Sequence, residues 1–279
     1  MKPRFTSVFP LTALLAAVTF AGVAPASAQD DSAARLQPPP ILIVHTEFLK
    51  PGESAAAHVK TEAAIAQTLR NANAEGHYMG LVAITGRART VFVSGCTSFA
   101  NCQEQHDSVA QNASLRDQLR SQGADDSALL SGSTRSIYRF DKDMSLNVGA
   151  ANGTRFFELT LFHVRSGHER DWRNVVKMYQ DAYAKIPGAH WDMFEKLYGE
   201  HSGNTWLLAV PMKSLSEEDD SMANSAKLKD VVGAEQMQKM EDAANAAVES
   251  VESNLFAISP EMSYETADWT KADPKFFGR

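Results

Sequence analysis

The apolar and polar positions of this chain fall into one pattern that is written twice. Residues 41–49, Ile-Leu-Ile-Val-His-Thr-Glu-Phe-Leu, read as a strand that stops at Lys50-Pro-Gly-Glu. Residues 156–164, Phe-Phe-Glu-Leu-Thr-Leu-Phe-His-Val, read as a strand that stops at Arg165-Ser-Gly-His-Glu. A helix is predicted after each, over 53–71 and 168–186. In the second copy Trp172, Val175, Val176, Tyr179 and Tyr183 recur at helical spacing and form one apolar stripe. Two strands follow in each copy, 77–85 and 90–94 joined by Gly86-Arg-Ala-Arg, and 193–198 and 205–210 joined through 201–204. Polar helical regions come next, 98–130 and 214–250, and short strands at 136–140 and 254–258 close the two copies. Gly52 and Gly167 lie 115 positions apart, as do Thr90 and Thr205, and the separation grows to 118 at Met144 and Met262. The repeat therefore lies in the order of elements and their spacing, since few residues are identical.

The order βαββαβ, twice, predicts an α+β fold of two tandem ferredoxin-like units. Each unit is a four-stranded antiparallel sheet with two helices on one face. A single unit would leave the other sheet face bare, so the two antiparallel sheets are expected to be apposed, with helices outside. The units span 41–143 and 155–259, with a small polar linker over 144–154 and a C-terminal tail over 260–279. With its turn phrases Lys50-Pro-Gly-Glu and Arg165-Ser-Gly-His-Glu, the tandem resembles the dimeric α/β-barrel superfamily, both halves in one chain, across 41–258. It is also similar to exported tandem proteins of the same layout. The resemblance implies a fold shared by cofactor-free quinone-forming monooxygenases, haem-binding enzymes and lactone isomerases, so it does not choose an activity. The Gly-Xaa-Xaa-Asp-Gly signature of the haem-peroxidase branch is absent from this sequence.

The N-terminus supplies an address. Lys2 and Arg4 precede an apolar run, and Ala26-Ser-Ala28 precedes Gln29, the arrangement of a cleavable signal peptide over 1–28. A polar leader over 29–40 ends in three prolines. No cysteine follows the apolar run, so no lipid attachment point exists there. Export of a soluble protein, to a periplasm or beyond the cell, is the expectation. The 279-residue chain has 22% charged residues and a net charge of −7, and loss of Lys2 and Arg4 makes it more negative. With no basic patch, nucleic acid is not an expected partner. Cys96 and Cys102 sit close enough in sequence to form a disulfide in an oxidising compartment, the alternative being two reduced thiols.

Candidate chemistry follows from the faces of the strands. In the first strand Leu42, Val44, Thr46 and Phe48 alternate with Ile43, His45, Glu47 and Leu49. The more apolar set is expected to face the helices, which would aim His45, Glu47 and Glu158 into the space between sheets. Placed 115 positions before the apolar stripe of the second copy, the first helix presents Ala57, Lys60, Thr61, Ala64 and Thr68. So small a face leaves room for a ligand beside Lys60, with Tyr78 and His45 in reach. The alternative is a rotated helix that buries Val59, Ala63, Ala66 and Leu69 and leaves Lys60 in water. His58 and Glu62 lie one turn apart, as metal ligands can, but no third ligand is indicated and a surface pair is expected.

Candidate ligand-binding residues are thus Lys60, His45, Tyr78, Glu47 and His58, with no metal and no cofactor expected. The sequence favours an exported module holding a small, partly apolar molecule in the first half, as a monomer or weak homodimer free of the membrane after cleavage. The alternative is a cofactor-independent monooxygenase or isomerase in which His45, His58, Lys60 or Tyr78 handles protons. A ligand-free envelope assembly protein is the third reading.

Overall fold

The computed structural model describes residues 36–200 and 203–278. The expected signal 1–28, the leader as far as 35, and His201 and Ser202 of the second hairpin connection lie outside the described residues. The first half contains β1 (Ile41–Leu49), α1 (Ala55–Asn71), β2 (Tyr78–Ala83), β3 (Arg89–Cys96), α2 (Phe99–Gln111), α3 (Ala113–Ser127) and β4 (Leu130–Phe140). The second contains β5 (Phe156–Val164), α4 (Glu169–Tyr183), β6 (Asp192–Tyr198), β7 (Thr205–Met212), α5 (Ser216–Val232), α6 (Ala234–Ala247) and β8 (Val248–Tyr264). Two short helices follow, α7 (Ala267–Ala272) and α8 (Pro274–Phe277).

All eight strands pair antiparallel and close into one barrel in the order β1-β3-β2-β8-β5-β7-β6-β4. Around the ring the first half reads β4-β1-β3-β2 and the second reads β8-β5-β7-β6, the same order of equivalent strands. The halves meet where β2 pairs β8 and where β4 pairs β6. The two sheets join at both edges into one continuous wall, so among the described residues no strand edge is left open to another chain.

Local chemistry explains the joints. Gly52 and Gly167 adopt φ of 89° and 84° in the turns that leave β1 and β5, a left-handed region that side chains resist. Ser54 then caps α1 by accepting from the Ala57 N–H. Each polar helical region splits in two. Asn112 leaves the helical conformation and caps α3 through the Leu115 N–H, and Gly233, at φ 82°, separates α5 from α6.

The two faces of β1 lie opposite to expectation. Leu42, Val44, Thr46 and Phe48, with Phe157, Leu159 and Leu161 of β5, point into the barrel. His45 and Glu47 point outward beneath the helices, as the contacts between Glu47 and His58 of α1 show. Glu158 likewise shares a bond with Thr160 on the helix side. A barrel wall wrapped by helices buries both of its faces, so counting apolar residues on one strand does not tell inside from outside.

In the second half Trp172, Val175 and Val176 of α4 pack on Val164, Met193, Trp206 and Val248, with Phe162, Ala243 and Ala244 against them. The corresponding first-half layer is built of polar groups, described below. The C-terminal tail belongs to the barrel. β8 runs to Tyr264, which pairs with Tyr78, and Phe277 is buried against Met79, Leu81, Val91 and Phe256. Before β1, Leu36 is buried and donates its N–H to Asn152, while Pro39 packs on Gly95.

Candidate functional site

Two places in the fold can do chemistry, one on each face of β1. The first is the barrel lumen, a cavity of about 1220 Å³ bounded by inward residues of both halves. Its wall is mainly aliphatic and aromatic, with Leu42, Val44, Leu81, Val91, Phe157, Leu159, Phe194 and Leu207 among the lining residues. Leu42, Val44, Phe157 and Leu159 are only half-buried although they point to the centre of the barrel, because they line this space. An eight-stranded barrel is just wide enough either to fill with side chains or to hold one small ligand.

A few polar groups interrupt that wall. Lys196 is buried, donates to the Glu200 carbonyl at 2.7 Å, and holds Nζ 5.6 Å from the centre of the Tyr138 ring. Burial lowers the pKa of Lys196, against the pull of Glu200, and pushes the Tyr138 phenol up to about 12. Burial also raises the Asp192 carboxyl to about 6, against the opposing effect of His190. Arg89 lies 5.2 Å over the Phe256 ring and 3.6 Å from Glu252. The segment 36–40 and α7 line the same cavity, so both ends of the described chain border it. The expected cavity between α1 and its sheet is thus corrected, since the space lies between the inward rows of the two halves.

The second place lies under α1, where five residues (50–54) join β1 to the helix but only four (165–168) join β5 to α4. Ala55 and Glu169, which open α1 and α4, are therefore 114 positions apart, although Ile41 and Phe156 are 115 apart. That single extra residue turns α1 by about 100° relative to the expected stripe. The buried positions become His58, Glu62, Ala66 and Leu69, facing where Trp172 and Val176 face in the second half. Lys60 moves to the exposed side of α1, away from both the lumen and this layer. The expectation that Lys60 borders a ligand is corrected accordingly.

The rotation assembles a cluster. His58 is 1% exposed, and its Nδ1 donates to Asp126 Oδ1 at 2.8 Å, since a carboxylate can only accept. Its Nε2 lies 3.1 Å from Thr90 Oγ1 and 3.7 Å from Glu47 Oε2. Glu47 Oε1 accepts from His45 Nε2 at 2.9 Å. Thr61 donates to Asp126, and Glu62 shares a hydrogen bond with the same carboxylate. Burial, together with the charges of Glu47 and Asp126, raises Glu62 to about 9, so its carboxyl holds a proton at neutral pH and donates it to Asp126. Asp126 is pushed up by burial but held below its ordinary range by the bonds from His58 and Thr61. Tyr78 completes the rim, its ring edge-on to Phe92 at 5.6 Å and its phenol raised by burial and by Glu62.

Four of the candidate residues, His45, Glu47, His58 and Tyr78, thus come together, but on the helix side of the wall. The expectation of an exposed His58–Glu62 pair is corrected, because both are buried and Glu47 and Asp126 join them. Asp126 was not singled out, as nothing in the sequence distinguishes it within a polar helix. Cys96 and Cys102 lie at disulfide distance, Cα to Cα 5.3 Å, joining the end of β3 to α2.

Solved structures of low sequence identity share this fold. A monooxygenase-like protein of Fusobacterium nucleatum is similar to this chain at a TM-score of 0.50 and 10% identity, covering 78% of this chain and 91% of that one. An anthrone oxidase-like protein matches with the same score, identity and coverage. At such identity the likeness shows the fold alone. No family model matches the sequence, and no curated protein matches it. Among the described residues no helix is long and apolar enough to cross a membrane.

Proposed function

We propose that this is an exported barrel that binds a small, partly apolar molecule in its lumen. The carrying observation is a cavity of about 1220 Å³ bordered by half-buried Leu42, Val44, Phe157 and Leu159, which a protein without a ligand would have filled. Arg89 and Lys196 suit a ligand with an anionic or phenolic end, and the aliphatic rows suit a flat apolar body. Export rests on the sequence of residues 1–28 and is supported by the Cys96–Cys102 pair. Two equivalent halves in β4-β1-β3-β2 order support reading the barrel as tandem ferredoxin-like units, which would make the chain a complete barrel as a monomer.

The test uses 1-anilinonaphthalene-8-sulfonate, an apolar fluorophore with one anionic group. The native protein should take up one equivalent with saturable fluorescence enhancement. Leu159→Trp, which fills the lumen, should lose that uptake while keeping its cooperative unfolding. Uptake that Leu159→Trp leaves unchanged would place the probe elsewhere and end the proposal.

The second reading is cofactor-independent oxidation of a bound phenol, favoured by the fold shared with the anthrone oxidase-like protein and by the juxtaposition of Tyr138 and Lys196. Anthrone, supplied with dioxygen, would lose two hydrogens and gain one oxygen atom to give anthraquinone and water. Oxygen uptake dependent on anthrone, and abolished in Leu159→Trp, would separate this reading from simple binding.

A further inference from the structure

The lumen makes no use of the cluster under α1, which lies across the wall of the barrel from it. That cluster gathers Glu47, His58, Glu62 and Asp126 with one ligand atom from each within 4.8 Å of all the others. Ligand oxygens and nitrogens around one first-row cation stand about 2.0–2.2 Å from it and therefore up to about 4.4 Å apart. Only ligands on opposite sides of the ion reach that limit and adjacent ones stand nearer about 3 Å apart, so the groups draw in on the ion as it binds.

Three further observations favour a cation over a merely structural network. Glu47 is 8% exposed, and its Oε2, fully shielded from water, has no hydrogen-bond partner and sits 3.7 Å from His58 Nε2. A buried carboxylate oxygen without a donor is costly, and a cation at that point relieves the cost. His58 already holds the orientation of a metal ligand, its Nδ1–H committed to the Asp126 carboxylate and its Nε2 turned towards Glu47. The second half is an internal control. Phe162, Trp172 and Val176 fill the equivalent layer there, so the fold does not need polar groups at this place. Among the described residues, no lysine or arginine forms an ion pair with Glu47, Glu62 or Asp126.

We propose that Glu47, His58 and Glu62 bind one divalent first-row transition cation at His58 Nε2, with Asp126 orienting the His58 ring from its Nδ1 side. One imidazole nitrogen with carboxylate oxygens suits manganese(II) through zinc(II) and disfavours the all-oxygen cages of calcium and magnesium. The Thr90 hydroxyl, 3.1 Å from Nε2, is the group a cation displaces. His45, a quarter exposed and bonded to Glu47, marks the edge through which an ion reaches the cluster.

The experiment takes the full exported protein, free of affinity tags and stripped with a chelator, and adds cobalt(II) and then zinc(II). Cobalt should give visible ligand-field bands that saturate at one equivalent, and zinc should displace them and raise the thermal midpoint. Magnesium at the same concentration should do neither. Glu62→Gln should weaken cobalt binding at least tenfold, Asp126→Asn about 10–100-fold through loss of ring orientation, and Lys60→Ala not at all. Wild-type protein that shows no saturable bands at millimolar cobalt would overturn the proposal. So would binding that His58→Gln and Glu62→Gln leave intact, because the cation would then sit elsewhere.

Discussion

Removing the imidazole of His58 and removing the carboxyl of Glu62 should have opposite consequences for the stability of the metal-free protein. Both side chains are buried, at 1% and 5% exposure, but they hold different places in the network. His58 is the donor to Asp126, itself 2% exposed, and the bridge to Thr90. His58→Ala leaves Asp126 with the Thr61 hydroxyl and the Glu62 carboxyl as its donors in a dry layer. Leaving a buried carboxylate short of one donor typically costs about 1–3 kcal/mol. Glu62 instead brings a third carboxyl into a layer whose counterpart in the second half is occupied by Val176. Glu62→Leu, similar in volume, removes a carboxyl that must take up a proton on folding, and should be neutral or should stabilise by at most about 3 kcal/mol at pH 7. Urea denaturation in chelator at pH 7, followed by far-ultraviolet circular dichroism, measures both. A loss for Glu62→Leu as large as that for His58→Ala would refute the reasoning. It would mean that the Glu62 carboxyl is a required donor of the fold.

Other consequences can be checked separately. Asp192 keeps its proton more tightly when folded, with a pKa of about 6. Its contribution is therefore most favourable below the ordinary carboxylate pKa of about 4 and is lost as pH rises towards 6. Asp192→Asn should match wild type at pH 4 and exceed it at pH 7.5 by at most about 3 kcal/mol, less whatever water reaches the group. Equal stability differences at both pH values would contradict the assignment. Cys96 and Cys102 should resist alkylation in exported protein until reduced, as read by intact mass, and reduction should lower stability by about 2 kcal/mol for so short a loop. Phe277→Ala removes a ring packed on Met79, Leu81 and Phe256 and should cost about 3–5 kcal/mol, unlike truncation of an unpacked tail.

The barrel was legible because its signals are redundant. Strand, turn and helix recur in one order, and Gly52 and Gly167 mark equivalent turns that both need positive φ. Strand faces were not legible. Leu42 and Val44 look like core and do line an interior, but that interior is a cavity, whereas His45 and Glu47 lie beneath helices. The difference depends on partners far along the chain, above all Asp126, 68 positions from His58. The stripe on α1 failed for a smaller reason. Sequence offset was carried unchanged through a turn that holds one extra residue, and on a helix one residue is about 100°. Lys60 was placed inward by that error, and His58 with Glu62 outward. The packing of the tail had no periodic signal in the sequence, since Trp269, Phe276 and Phe277 lie in short segments, and only their aromatic character pointed to burial.

The most direct measurement is a methyl NMR titration of the protein with 1-anilinonaphthalene-8-sulfonate. The methyls of Leu42, Val44, Leu159, Leu161 and Leu207, which line the lumen, should shift and saturate together at one equivalent. Those of Val175 and Val176, on the buried face of α4, should stay still. Shifts confined to surface methyls, or to Val59 and Ile65 on α1 with the lumen unmoved, would contradict a ligand-binding barrel.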